Sequence, residues 1–293
     1  MTTDIRGLLT KEQYEQNSSV IYVPSILAIP DKKYFEPDAK KINTVEYTIE
    51  EDSILPSLIT NEMTELNAAK ASNRIRSFVP YGEMLTFRVN RGAQNFLGNN
   101  IQELHNQIIR KLSIRFDNSA MIGGGGNNGL ITTSDPNVIT ATSAEIPVSS
   151  GDGFNQIQKA KEIANNLNIL VNNTTNSRSL TVYFYGTALQ LFLGKITAGQ
   201  ETDVRSHIQN SFANKTVNFV DISALALPDN IGNGIVVVSN EVAILEHAGL
   251  PKIDDQQYDR EKLYYWTHYT LGSSQVRAKI KGAIIKQPIT FAS

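Results

Sequence analysis

The chain contains no cysteine. Disulfide staples, a thiolate nucleophile and cysteine-ligated zinc are excluded together. No apolar run approaches the roughly 18 residues that a membrane-crossing helix needs. The first residues, Met1 to Arg6, lack the basic segment and apolar core of a signal peptide, so none is expected. An excess of either charge is also missing, with 27 basic residues against 29 acidic ones in 293. That balance argues against a dedicated DNA-binding protein, whose affinity comes from a concentrated basic surface that neutralises phosphates. What is present, 41% hydrophobic and 19% charged residues, suffices for one large domain or two closely joined ones.

Catalytic signatures are equally scarce. Gly124, Gly126 and Gly129 formally satisfy a G-x-G-x-x-G spacing. A dinucleotide site needs that turn after a strand and before a helix, and here the run follows a helix. It reads as a helix-ending loop. His105, His207, His247 and His268 fall in no metal-binding spacing, and no Gly-x-Ser-x-Gly marks a nucleophile elbow. The carboxylates Glu50, Glu51 and Asp52, and the pair Asp254 and Asp255, read as solvated loop. Trp266 with Tyr264, Tyr265 and Tyr269 reads as strand packing. We expect no catalytic residue, no cofactor and no metal.

The pattern along the chain is more informative. Val20 to Pro30 is apolar but interrupted by Pro24 and Pro30, which describes an extended arm, either strapped on its own domain or reaching a neighbour. Residues 42–69 hold six acids (Glu46, Glu50, Glu51, Asp52, Glu62, Glu65) and no Lys or Arg. Residues 70–91 hold Lys70, Arg74, Arg76, Arg88 and Arg91 against the single acid Glu83. Alternation at Thr44–Glu50 and Met84–Asn90 predicts two strands flanking a long polar excursion. Its opposed charges suit either internal pairing or an oppositely charged surface on another copy. Ile101, Leu104, Ile108, Leu112 and Phe116 predict a helix over about 98–118, and Phe154 to Val171 predict a second over about 154–171. Strands are expected at Leu180–Tyr185, Thr216–Ile222 and Gly234–Ser239, the last apolar on both faces and so central. Near the C-terminus Val276, Ala278 and Ile280 should face the core, with Arg277, Lys279 and Lys281 in solvent.

This order of elements resembles the major capsid proteins of tailed bacteriophages, with the Hong Kong 97-type fold shared by encapsulin nanocompartments. The quoted matches are the arm at Val20–Pro30, the excursion Thr44–Arg91, the long helix, and the small-residue run from Asn118 through Gly129-Leu-Ile-Thr. The resemblance implies an α+β fold divided as follows: an arm over 1–41, an extended β-hairpin loop over 42–93, a peripheral domain over 94–175 holding the spine helix and the second helix, a mixed α/β axial domain over 176–247, and strands returning to the peripheral domain over 248–293. It further implies pentamers and hexamers closing an icosahedral head around double-stranded DNA, in a virion assembled in the host cytoplasm. Portal, scaffold and decoration proteins would be partners, and no membrane is involved. The inter-subunit contact residues would be Glu46, Glu50 and Glu51 with Lys70, Arg74, Arg76, Arg88 and Arg91. The alternatives are an encapsulin-type nanocompartment shell and, from another class, a glycan-binding or adhesion module.

Overall fold

The computed structural model describes residues 27, 29–37, 45–51, 72–90, 101–132, 135–147, 153–188, 209–212, 214–222, 231–259 and 264–292. In chain order these give β1 (Lys32–Tyr34), β2 (Val45–Glu51), β3 (Ser72–Phe78), β4 (Gly82–Asn90) and the helix α1 (Ile101–Ile122). A minimal hairpin of β5 (Gly123–Gly124) and β6 (Asn127–Asn128) follows, then β7 (Val138–Thr140), β8 (Ala144–Pro147) and the helix α2 (Gly153–Thr174). The rest is strand: β9 (Ser179–Tyr185), β10 (Thr216–Asp221), β11 (Asn233–Ser239), β12 (Ala243–His247), β13 (Lys252–Asp259), β14 (Tyr264–Gly272), β15 (Ser274–Ala278) and β16 (Ile284–Ala292).

A run without a polar face has to be covered on both sides. Ile235–Val238 is such a run, and β11 lies mid-sheet in the order β10-β9-β11-β16-β7, with β8 also pairing β16. Val236 and Val238 enter one core cluster with Ile109, Leu112, Phe116 and Met121 of α1. Ile235 and Val237 enter the other, with Ala160, Ile163, Leu167 and Val171 of α2. Each fully buried aliphatic side chain contributes about 1.5–3 kcal/mol, so β11 joins the two cores. The buried stripe of α1 runs His105, Ile109, Leu112, Phe116 and Ala120, offset from the expected Leu104 and Ile108, which are only partly buried.

Packing runs across the expected segment bounds. Helix α2, β9 and β11 share one core. In the last segment β13 and β14 extend β4, β15 pairs β12, and β16 joins the six-stranded sheet. The turn at 279–283 separates β15 from β16 and sends them to different sheets. The strand expected to close the excursion, β4, pairs instead with β14, and β2 takes β3 as its partner. The described end of the arm lies on its own domain, with Leu27 and Ile29 in the first core and β1 parallel to β12. The rest of the arm lies outside the described residues.

Candidate assembly site at the root of the hairpin

Among the described residues β2 and β3 pair only with each other. A lone two-stranded ribbon is marginal in water, so its position depends on how its root is held. Residues 77–81 form that root, and side chains hold it. Asn127 Oδ1 accepts the Val79 N–H at 2.7 Å, and Asn127 Nδ2 donates to the Val79 carbonyl at 2.8 Å. Ser273 Oγ donates to the same carbonyl at 2.9 Å and accepts the Tyr81 N–H at 3.1 Å, while the Ser273 N–H donates to the Tyr81 carbonyl at 2.8 Å. The Ser77 carbonyl accepts Gln275 Nε2 at 3.3 Å and the Arg277 guanidinium. Phe78 is fully buried beside Ala248 and Phe35, its ring centroid 4.9 Å from that of Phe35.

The glycine run serves this root. α1 ends at Ile122, and the tight β5–β6 hairpin turns Asn127 back under Val79. At Gly125, φ is +59° and an added Cβ would lie 2.1 Å from the Tyr81 ring, so only glycine lets the ring settle there. The run leads into a two-residue strand rather than a helix N-terminus, and the cofactor reading fails on context.

Behind the root lies a buried charge cluster. Arg277, expected in solvent, is 7% exposed: its Nη1 is 3.6 Å from Asp135 Oδ2 and its Nε 3.6 Å from Glu246 Oε2. Alternation misplaced it because every residue of β15 is buried, on both faces. Glu246 is wholly buried and accepts Gln275 Nε2 at 2.6 Å. Burial pushes its carboxyl up to about 6, although the Gln275 bond, Arg277 and Lys33 pull the other way. One sequence signal could have found it: Glu246 closes the otherwise apolar run Ala243–Leu245, and a carboxylate so placed requires a cation.

The expected contact residues divide. Arg88 on β4 is exposed, its guanidinium 5.2 Å from the Trp266 ring centroid. Trp266 stacks on His268 at 6.4 Å, and His268 Nδ1 lies 3.0 Å from Thr86 Oγ1. Glu83, the one acid of the basic stretch, pairs with Arg115 at 2.6 Å. In the β2–β3 register Arg76 stands opposite Tyr47 and Arg74 opposite Ile49, whereas Glu46 stands opposite Ser77 and Glu50 opposite Asn73. Positions opposite one another share a face, so 46 and 50 lie on one face of the ribbon and 74 and 76 on the other. Of the three acidic positions only 51 shares a face with 74 and 76. The side chains of 46, 50, 51, 74 and 76, together with Lys70 and Arg91 entirely, lie outside the described residues.

His105 is fully buried against the Tyr269 hydroxyl, and burial lowers its imidazole to about 4. Among the described residues no three His, Asp or Glu gather as metal ligands, and no helix is long and apolar enough to cross a membrane.

No family model matches the sequence, and no curated protein matches it. Solved structures do. The chain resembles the capsid of Myoviridae phage XM1 at 12% identity, with 85% of each chain covered and a TM-score of 0.57. All of the chain aligns with 94% of the capsid protein of an empty GTA particle, at 11% identity and a TM-score of 0.55. The virus-like particle from Pyrococcus furiosus aligns over 94% of each chain at 10% identity and a TM-score of 0.51. The chain has the Hong Kong 97-type capsid fold. In this structure the Asn127, Ser273 and Arg277 side chains hold residues 77–81, where the β2–β3 ribbon meets β4.

Proposed function

We propose that this chain is the major capsid protein of a tailed bacteriophage, a structural subunit with no catalytic task. Copies gather as pentamers and hexamers and close an icosahedral head around double-stranded DNA, which they enclose without reading its sequence. The observation that carries this reading is a likeness to shell subunits that runs over 85–100% of the chain. The location is the virion, with assembly in the host cytoplasm. Portal, scaffold and decoration proteins are the expected partners.

Contact between copies falls to the hairpin. Glu46, Glu50 and Glu51 would meet Lys70, Arg74, Arg76, Arg88 and Arg91 of an adjacent copy, since complementary charge fixes register and partner. The register favours contact between copies, because it parts positions 46 and 50 from 74 and 76 within one ribbon. The likeness to the Pyrococcus furiosus particle supports a second reading, an encapsulin-type nanocompartment. Neighbouring genes separate the two: terminase and portal genes accompany a phage, a cargo enzyme a nanocompartment. Negative-stain microscopy of the purified chain tests both, with closed shells or capsomer rings expected. A monodisperse monomer at high concentration would refute shell formation.

A further inference from the structure

We propose that the root of the β2–β3 hairpin is a hinge controlled by a single proton on Glu246. With the proton bound, the root is locked onto the body. When the root lifts, Glu246 meets water and gives that proton up. The proposal concerns the hairpin of one chain and stands whether or not shells form.

The geometry supplies the linkage. The Ser77 carbonyl is held by Gln275 and Arg277, and these two side chains also carry Glu246. Root and carboxyl therefore share their anchors. Lifting residues 77–81 takes the acceptor from both anchors and opens the wholly buried Glu246 to solvent. Around the carboxyl, β15 contributes Arg277 and Gln275, and β1 contributes Lys33, opposite Glu246 in the register. Asp135 faces Arg277 from its far side. From β3 the facing group is the Ser77 carbonyl. Neighbouring His247 packs edge-on against Phe116, its centroid 6.3 Å away. One cation is thus divided between two buried carboxylates. Among the described residues Glu246 Oε1 has no hydrogen-bond partner. A carboxyl buried with an empty acceptor position favours its neutral form.

The sign follows from linkage. The closed root holds the carboxyl at about 6, above its ordinary 4.5, so opening releases a proton. Opening is therefore favoured as pH rises through 6 and suppressed as pH falls toward 4.5. From well below 4.5 to well above 6 the open fraction changes by about thirtyfold, and by about eightfold between pH 5 and 7.

Hydrogen exchange reads this directly in the full chain. The Val79 and Tyr81 amides, bonded to Asn127 and Ser273, report the root, and the Val236 amide in the central strand reports global opening. After correction for intrinsic rates, protection at Val79 and Tyr81 should fall as pH goes from 5 to 7, relative to Val236. In Glu246→Gln the relative protection should not change with pH. Lys33→Gln, which removes a cation facing the carboxyl, should move the midpoint to higher pH and enlarge the amplitude. Flat profiles in the wild type, an unchanged dependence in Glu246→Gln, or an unmoved midpoint in Lys33→Gln would each overturn the proposal.

Discussion

His105 shows how one buried residue makes the whole fold answer to pH. It lies on the buried face of α1, its ring 5.8 Å from Phe87 and its Nδ1 bonded to the Tyr269 hydroxyl, with Nε2 lacking a partner. Its folded value of about 4 lies below the ordinary 6.5, so the unfolded chain binds a proton that the folded chain refuses. Stability from this group is complete above pH 6.5 and is lost as pH falls toward 4, by about 3 kcal/mol. Glu246 has the opposite sign: its raised value adds stability, about 2 kcal/mol in all, as pH falls from well above 6 to well below 4.5. His105→Gln keeps a polar partner for Tyr269 but cannot titrate. Urea denaturation at pH 7 and pH 4.5 should show the difference between wild type and variant shifting by 2–3 kcal/mol in the variant's favour at the acid end. An unchanged difference would mean that His105 is protonated inside the fold.

Elements were legible where burial is one-sided and obscure where it is not. The helix α1 and the two-faced apolar run of β11 follow from periodicity, although the buried stripe of α1 is set one residue on from Leu104 and Ile108. Strand partners do not, since β4 alternates equally well beside β2 or β14. What decides is the root, where Pro80–Gly82 break the line and Ser273 takes up Val79 and Tyr81. Arg277 was misplaced for a related reason: alternation assumes a solvated face, and β15 has none. The candidate contact residues were legible as segregated charge, whereas the joint that positions them was not, because Asn127, Ser273 and Arg277 lie up to 150 positions apart. The consequence at this scale concerns β3. Among the described residues it pairs only with β2, so Arg74→Glu with Arg76→Glu should leave thermal unfolding of the body within a few degrees of wild type and sharply reduce shell yield in microscopy. Normal shells from that double variant would remove the hairpin from the contact.

For the molecule as a whole, the near balance of 27 basic and 29 acidic residues means that copies approach without strong net repulsion. On the proposed function, segregation within 42–91 would supply direction, an acidic segment followed by a basic one in every copy. Such contacts act over a Debye length, about 30 Å at 0.01 M ionic strength and about 3 Å at 1 M. Assembly followed by light scattering should therefore slow as salt rises if steering between hairpins sets the rate, and should quicken if burial of apolar surface dominates. A four-residue swap separates charge complementarity from mere loss of positive charge. Adding Glu46→Arg and Glu50→Arg to the double variant inverts the pattern while preserving its complementarity. That chain should recover shells and a similar salt dependence, because like copies again present opposite charges to one another. Failure of the swap, with the double variant also silent, would mean that Arg74 and Arg76 act through particular hydrogen bonds instead of through the field they create.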